Sequence, residues 1–112
     1  MSSLSQQHCS PVSKKDAVLS EDQINTYTDE LDNLWSADKI RSNISREFHF
    51  KNYYETISFV NAVAWIVHEQ DHHPEMNVGY NRCQVTFFTH NIAGLSVNDF
   101  ICAAKINEIA PA

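Results

Sequence analysis

The stretch from Asn52 to Pro74 constrains the fold more than any other part of the chain. Tyr53, Ile57, Val60, Val63, Ala64 and Val67 recur at helical spacing, and Phe59, Ala62 and Ile66 widen the stripe. A helix with so broad an apolar surface has to bury it, so this one is expected to be the most buried of the chain. Asn52 is placed to cap its start with Glu55 three residues on. The stripe ends near Glu69, and Pro74 forbids further continuation. Pro74 also biases His73 toward extended backbone. The helix therefore delivers His72 and His73 onto a bend.

The flanking segments supply the remaining elements. Ser20 and Gln23 form a capping box before Ile24, Tyr27, Leu31 and Leu34, which marks a first amphipathic helix. A short strand is expected within Trp35 to Ile40, and a clearer one over Ile44 to Phe50. There Ile44, Phe48 and Phe50 share one face, which Arg46 interrupts. Met76 to Tyr80 reads as a third strand, with a turn at Asn81 and Arg82. Cys83 to His90 reads as a fourth, sorting Val85, Phe87 and Thr89 from Gln84, Thr86, Phe88 and His90. After Gly94, Ser96 and Asp99 make another capping box, and Val97, Phe100, Ile101, Ala104 and Ile106 fill a last helix. The order α-β-β-α-β-β-α predicts a single α+β domain, a four-stranded antiparallel sheet with three helices packed on one face. Residues 1–18 are polar and aperiodic and are expected to form a flexible N-terminal arm, leaving 19–112 as the domain.

Composition narrows the function classes. The 112 residues suit one core, and 43% hydrophobic with 20% charged residues suits a soluble globular protein. A net charge of -6 argues against nucleic acid as a partner. No apolar run reaches the ~20 residues that span a bilayer, and the start has no signal peptide. Cys9, Cys83 and Cys102 are odd in number and far apart, which favours reduced thiols in a cytoplasm over a disulfide framework.

Four of six His fall between positions 68 and 90. Imidazole titrates near neutral pH, so His72 and His73 on their bend, with His90 at the end of a strand, can donate and accept protons unaided. Competing readings are a His-rich surface turn without a role and a zinc site. Adjacent His72 and His73 suit one metal ion poorly, with no thiol near them in sequence. Asp99, for its part, occupies a position where a carboxylate simply caps a helix.

From Phe48 to Ile106 the chain closely resembles the pterin-4a-carbinolamine dehydratase family. The carrying segments are FHFKNYYE at 48–55, DHHPEMNVGYNR at 71–82 and TFFTHNIAGLSVNDF at 86–100. The family pattern of an acid, Lys or His before His-His-Pro, then an aromatic, a later His and an Asp, is met by His68, His72-His73-Pro74, Tyr80, His90 and Asp99. Two departures are His68, where many relatives carry a Glu able to orient His72, and Met76, where an aromatic is common.

The resemblance implies dehydration of 4a-hydroxytetrahydrobiopterin to quinonoid dihydrobiopterin, recycling tetrahydropterin for aromatic amino acid hydroxylases. It implies catalytic His72, His73 and His90, with His72 and His90 as acid and base and His73 positioning the pterin. It further implies substrate contacts from Asp71, Phe88, Thr89 and Asn91, and support from His68, Pro74, Tyr80 and Asp99. No metal and no cofactor are expected, and the chain is expected to form a homodimer or homotetramer. The alternative is a non-catalytic pterin-binding module or a dimerisation cofactor of transcription factors.

Overall fold

A computed structural model describes residues 3–32 and 34–110. Helix α1 (Glu21–Leu31) is followed by β1 (Ser36–Asp38) and β2 (Asn43–His49). Helix α2 (Tyr53–Gln70), the hairpin of β3 (Glu75–Val78) and β4 (Arg82–Phe87), and α3 (Val97–Ile109) complete the order. The four strands form one antiparallel sheet in the order β1-β2-β4-β3. The expected α+β architecture is the observed one, with the helices covering one sheet face.

Alternation decides which face that is. Ile44, Phe48, Cys83, Val85 and Phe87 are buried, while Glu47, His49, Gln84 and Asn77 on the other face are exposed. Ile44 pairs with Phe87 and Phe48 with Cys83, so the inward residues stack into one layer. Arg46, which breaks this alternation, is accommodated without a buried unpaired charge. Its guanidinium lies 4.2 Å from the Phe48 ring centre and donates to Asn107 Oδ1 at 2.6 Å. The same oxygen accepts Trp35 Nε1 at 2.7 Å, and Asn107 Nδ2 donates to Leu31 O at 3.1 Å. One α3 side chain thus ties together the end of α1, the approach to β1, and β2.

Three expectations are corrected. The most buried helix is α3, not α2: α2 buries only Thr56, Phe59, Val63 and Val67, one narrow stripe, whereas α3 is covered by α1, α2 and the N-terminal segment. Tyr54 and Trp65 of α2 are 81% and 66% exposed. Leu34 lies beyond α1, which stops where Asp32 takes φ 88, and its side chain faces solvent. The fourth strand stops at Phe87, and His90 opens a 3-10 turn, His90–Ile92, although the inward-outward alternation continues through Thr89.

Within the N-terminal segment, residues Leu4 to Val12 make contacts with the helices and with the turn after β4. Leu4 is buried and Lys105 Nζ donates to Ser5 O at 2.7 Å. Cys9 N–H donates to Gln70 Oε1 at 2.8 Å, and Asn98 exchanges hydrogen bonds with Ser10 N–H and Ser10 O at 3.1 and 2.7 Å. Side-chain-to-backbone bonds of this kind fix a polar segment without leaving any hydrophobic period in the sequence.

Candidate active site

The end of α2 creates the site. Asp71 takes the left-handed conformation at φ 53, ψ 44; its N–H donates to His68 O and the next N–H, of His72, donates to Val67 O, both at 3.2 Å. These two bonds satisfy carbonyls of the last turn and swing the chain off the helix axis. Asp supplies the left-handed residue here in place of the commoner Gly. His72 and His73 follow directly, then Pro74 leads into β3.

The second half of the site comes from the segment joining β4 to α3. Thr89 and Gly94 exchange backbone hydrogen bonds across the 3-10 turn at 2.8 and 3.3 Å. A Cβ on Gly94 would stand 2.7 Å from Val18 Cγ1, so a larger residue there displaces the exposed Val18 side chain. This turn presents Phe88, His90 and Asn91 opposite the His72-His73 bend. Together with Cys9 to Val12 of the N-terminal segment, the two halves enclose a cavity of about 470 Å³.

His72 lines the inner wall, with Asp99 buried behind it. Nε2 of His72 lies 2.6 Å from Asp99 Oδ1, and since a carboxylate only accepts, Nε2 carries the proton. Asp99 is 0% exposed. Its Oδ2 accepts the Thr89 hydroxyl at 2.8 Å and the Ser96 N–H at 3.0 Å. The Thr89 proton being committed to Asp99, the Ser96 hydroxyl donates to Thr89 Oγ1 at 2.8 Å. The cap at the start of α3 is therefore also the device that orients His72. The imidazole lies parallel to Phe87, with centres 5.9 Å apart and planes at 9°. Burial works against a charge on His72, but the Asp99 hydrogen bond and charge, with smaller contributions from Cys9 and Asp71, outweigh it. The ring is held above its ordinary pKa.

At the rim, His73 and His90 stack with ring centres 6.0 Å apart at 28°, and Phe88 packs on His90 at 4.2 Å. All seven residues expected to contact substrate, Asp71, His72, His73, Phe88, Thr89, His90 and Asn91, line this one cavity. None of the four expected supporting residues does: Asp99 stands buried behind His72. His68 and Pro74 line a separate shallow groove against His72 and His73, with the His68 ring beside Trp65. Tyr80 is 65% exposed and stacks on Tyr53 at the far end of α2. Sequence reasoning missed the wall made by Cys9, Ser10, Pro11 and Val12, together with Gln70 and Asn98. Among the described residues no three His, Cys, Asp or Glu side chains converge as a metal ion would require.

The family model for pterin 4 alpha carbinolamine dehydratase matches residues 17–109. The chain belongs to this family. A relative from Nitrosospira multiformis, provisionally named a pterin-4-alpha-carbinolamine dehydratase, is 50% identical over 106 residues, 95% of this chain and 91% of its own. A crystal structure described as a transcriptional coactivator/pterin dehydratase from Brucella melitensis superposes with TM-score 0.80 at 35% identity. It covers 85% of this chain and 100% of that one. A pterin dehydratase-like protein described as a RuBisCO assembly factor of the alpha-carboxysome shares the fold, with TM-score 0.60 at 22% identity over 70% of this chain and 90% of its own. None of the described helices is long and apolar enough to cross a membrane.

Proposed function

We propose that the chain dehydrates 4a-hydroxytetrahydrobiopterin to quinonoid dihydrobiopterin by His acid–base catalysis, restoring pterin for aromatic amino acid hydroxylases in the cytoplasm. The observation that carries this reading is the pairing of His72 with a fully buried Asp99 at the wall of a cavity rimmed by His73 and His90. Loss of the 4a-hydroxyl requires a proton delivered to the departing oxygen and another removed from a ring nitrogen. His72, whose protonated form the Asp99 carboxylate favours, acts as the acid. With Nε2 engaged by Asp99, Nδ1 is the nitrogen left for transfer. His90, exposed at the cavity rim, takes the ring proton. His73 stacks beside His90 and holds the pterin with Phe88, while Asp71, Thr89 and Asn91 supply polar contacts. Protein side chains suffice for both transfers, so the reaction proceeds without metal or cofactor.

The test is the dehydration of chemically generated 4a-hydroxytetrahydropterin by the purified protein, with and without chelator. Turnover well above the spontaneous rate, unaffected by chelator, is expected; a rate equal to the spontaneous one overturns the assignment. Self-association into a dimer or tetramer belongs to the same proposal, supported by the exposed Tyr54 and Trp65 of α2. Light scattering on Trp65→Glu is expected to show a smaller species than the parent; an unchanged mass removes this face from the interface.

A further inference from the structure

Cys9 Sγ lies 3.6 Å from Cys102 Sγ, and both are free thiols. They come from distant parts of the chain, Cys9 from the N-terminal segment and Cys102 from the second turn of α3. Backbone hydrogen bonds from Cys9 to Gln70 and between Ser10 and Asn98 fix the segment on either side of the sulfur. The two thiols differ in access. Cys9 is half-buried on the cavity wall, whereas Cys102 is buried behind it, 3.8 Å from His72 O. The hydrogen bond between the two thiols holds Cys9 below its ordinary pKa against the cost of burial, helped by His72 and Lys105 and opposed by Asp99. That same bond, with burial, pushes Cys102 up. A half-exposed sulfur disposed to ionise therefore stands against a protected one.

We propose that Cys9 and Cys102 are a hydroperoxide-sensitive thiol pair, Cys9 reacting first and Cys102 resolving it into an intramolecular disulfide. The Cys9 thiolate attacks one oxygen of hydrogen peroxide; an S–O bond forms, the O–O bond breaks, and the departing hydroxide takes a proton to become water. Cys102 then attacks the Cys9 sulfur. The S–S bond forms, the S–O bond breaks, and the Cys102 proton leaves with the hydroxyl as a second water. Two thiols lose two electrons and two protons, and one peroxide becomes two waters. Reaching the disulfide length of ~2.05 Å requires the sulfurs to close by roughly 1.5 Å, within reach of rotamer adjustment. The bond would fasten the segment that walls the cavity to α3. Cys83, buried in β4 with its thiol pushed up by burial, serves as an internal control.

The full chain is treated with hydrogen peroxide under native conditions, alkylated, digested and mapped by mass spectrometry. A peptide pair joined through Cys9 and Cys102 is expected, lighter by two hydrogens, with Cys83 alkylated only after denaturation. The oxidised protein is expected to melt on the order of 10 °C higher, reversibly with dithiothreitol, because the bond closes most of the chain into a loop. Cys9→Ser should leave Cys102 reduced, and Cys102→Ala should stall Cys9 as a sulfenic acid that dimedone traps. Cys9→Ser changes a half-exposed side chain and carries the test alone if Cys102→Ala fails to fold. Peroxide that leaves both thiols reduced, a Cys9 bond between two chains, or oxidation of Cys102 in Cys9→Ser each overturns the proposal.

Discussion

His72 Nε2 and Asp99 Oδ1, 27 residues apart in sequence, meet at 2.6 Å, with the carboxylate wholly buried. The pair joins the end of α2 to the start of α3. It therefore contributes to folding as well as to the proposed chemistry, and the two contributions are separable by pH.

The stability contribution has a defined direction. The folded-state pKa of His72 is raised above the ordinary value of 6.5. Between those two values the native state holds more protons than the unfolded state, so stability falls as pH rises. The contribution is fully present below about 6.5 and is lost as pH climbs through the folded value. Urea unfolding of the parent and His72→Gln is expected to differ more at pH 6 than at pH 9. Equal differences at both would show that the ring is neutral in the fold.

The three cavity imidazoles are expected to separate by kinetics. His72→Ala and His90→Ala should each lower kcat by about 10²–10³-fold with little change in KM. His73→Ala should mainly raise KM. Removing His72 and His90 together should cost less than the product of the single losses, because groups acting as a unit are non-additive. Circular dichroism matching the parent is the folding control. Folded His72→Ala and His90→Ala proteins that both retain the parental rate would eliminate the mechanism.

His68 and Tyr80 provide the contrast. Asp99 already orients His72, and His68 stands outside the cavity beside Trp65. His68→Glu is accordingly expected to preserve kcat or raise it slightly, since the added charge favours protonated His72. Tyr80→Ala should leave KM unchanged, because its ring stacks on Tyr53 away from the cavity. Steady-state kinetics on both variants checks this, and a tenfold fall in either parameter would assign the residue a role of its own.

Asn107 is expected to matter for stability alone. Asn107→Ala strips partners from Trp35 Nε1, the Arg46 guanidinium and Leu31 O at once, costing about 2–3 kcal/mol. Denaturant midpoints should fall while kcat per folded molecule is unchanged. A midpoint within error of the parent would mean that water replaces the amide at no cost.

The sequence made the sheet legible because period-two alternation survives burial on a single face: Val85, Phe87 and Thr89 point inward as read, even though the strand itself ends at Phe87. Helix burial was harder to read. Apolar residues run broadly around α2, but only the line from Thr56 to Val67 meets the core, and nothing in the spacing reveals which flank stays uncovered. The seven cavity residues were legible from the family motifs. The wall from Cys9 to Val12 was not, because hydrogen bonds to Gln70, Asn91 and Asn98 depend on tertiary placement and leave no local pattern. Asp99 was read as a helix cap, and that reading was correct but incomplete. One carboxylate oxygen serves the cap and the other serves His72.

Helix α2 is fastened at both ends. At its start, the buried Thr56 hydroxyl donates to Tyr80 O at 2.9 Å, where the β3–β4 hairpin turns. At its end the chain bends through His72, His73 and Pro74 and runs back along β3 to that same turn. Helix, strand and crossing hydrogen bond make a closed triangle, its long side, from Thr56 to Gln70, roughly 22 Å at 1.5 Å per residue. The two histidines sit at its apex. An apex braced by two stiff members cannot be lengthened freely. One residue inserted between His73 and Glu75 must either tear the base or slip β3 against β4, turning every β3 side chain to the opposite face. The spacing of the His-His-Pro corner is thus dictated by triangulation, quite apart from any demand the chemistry makes on it.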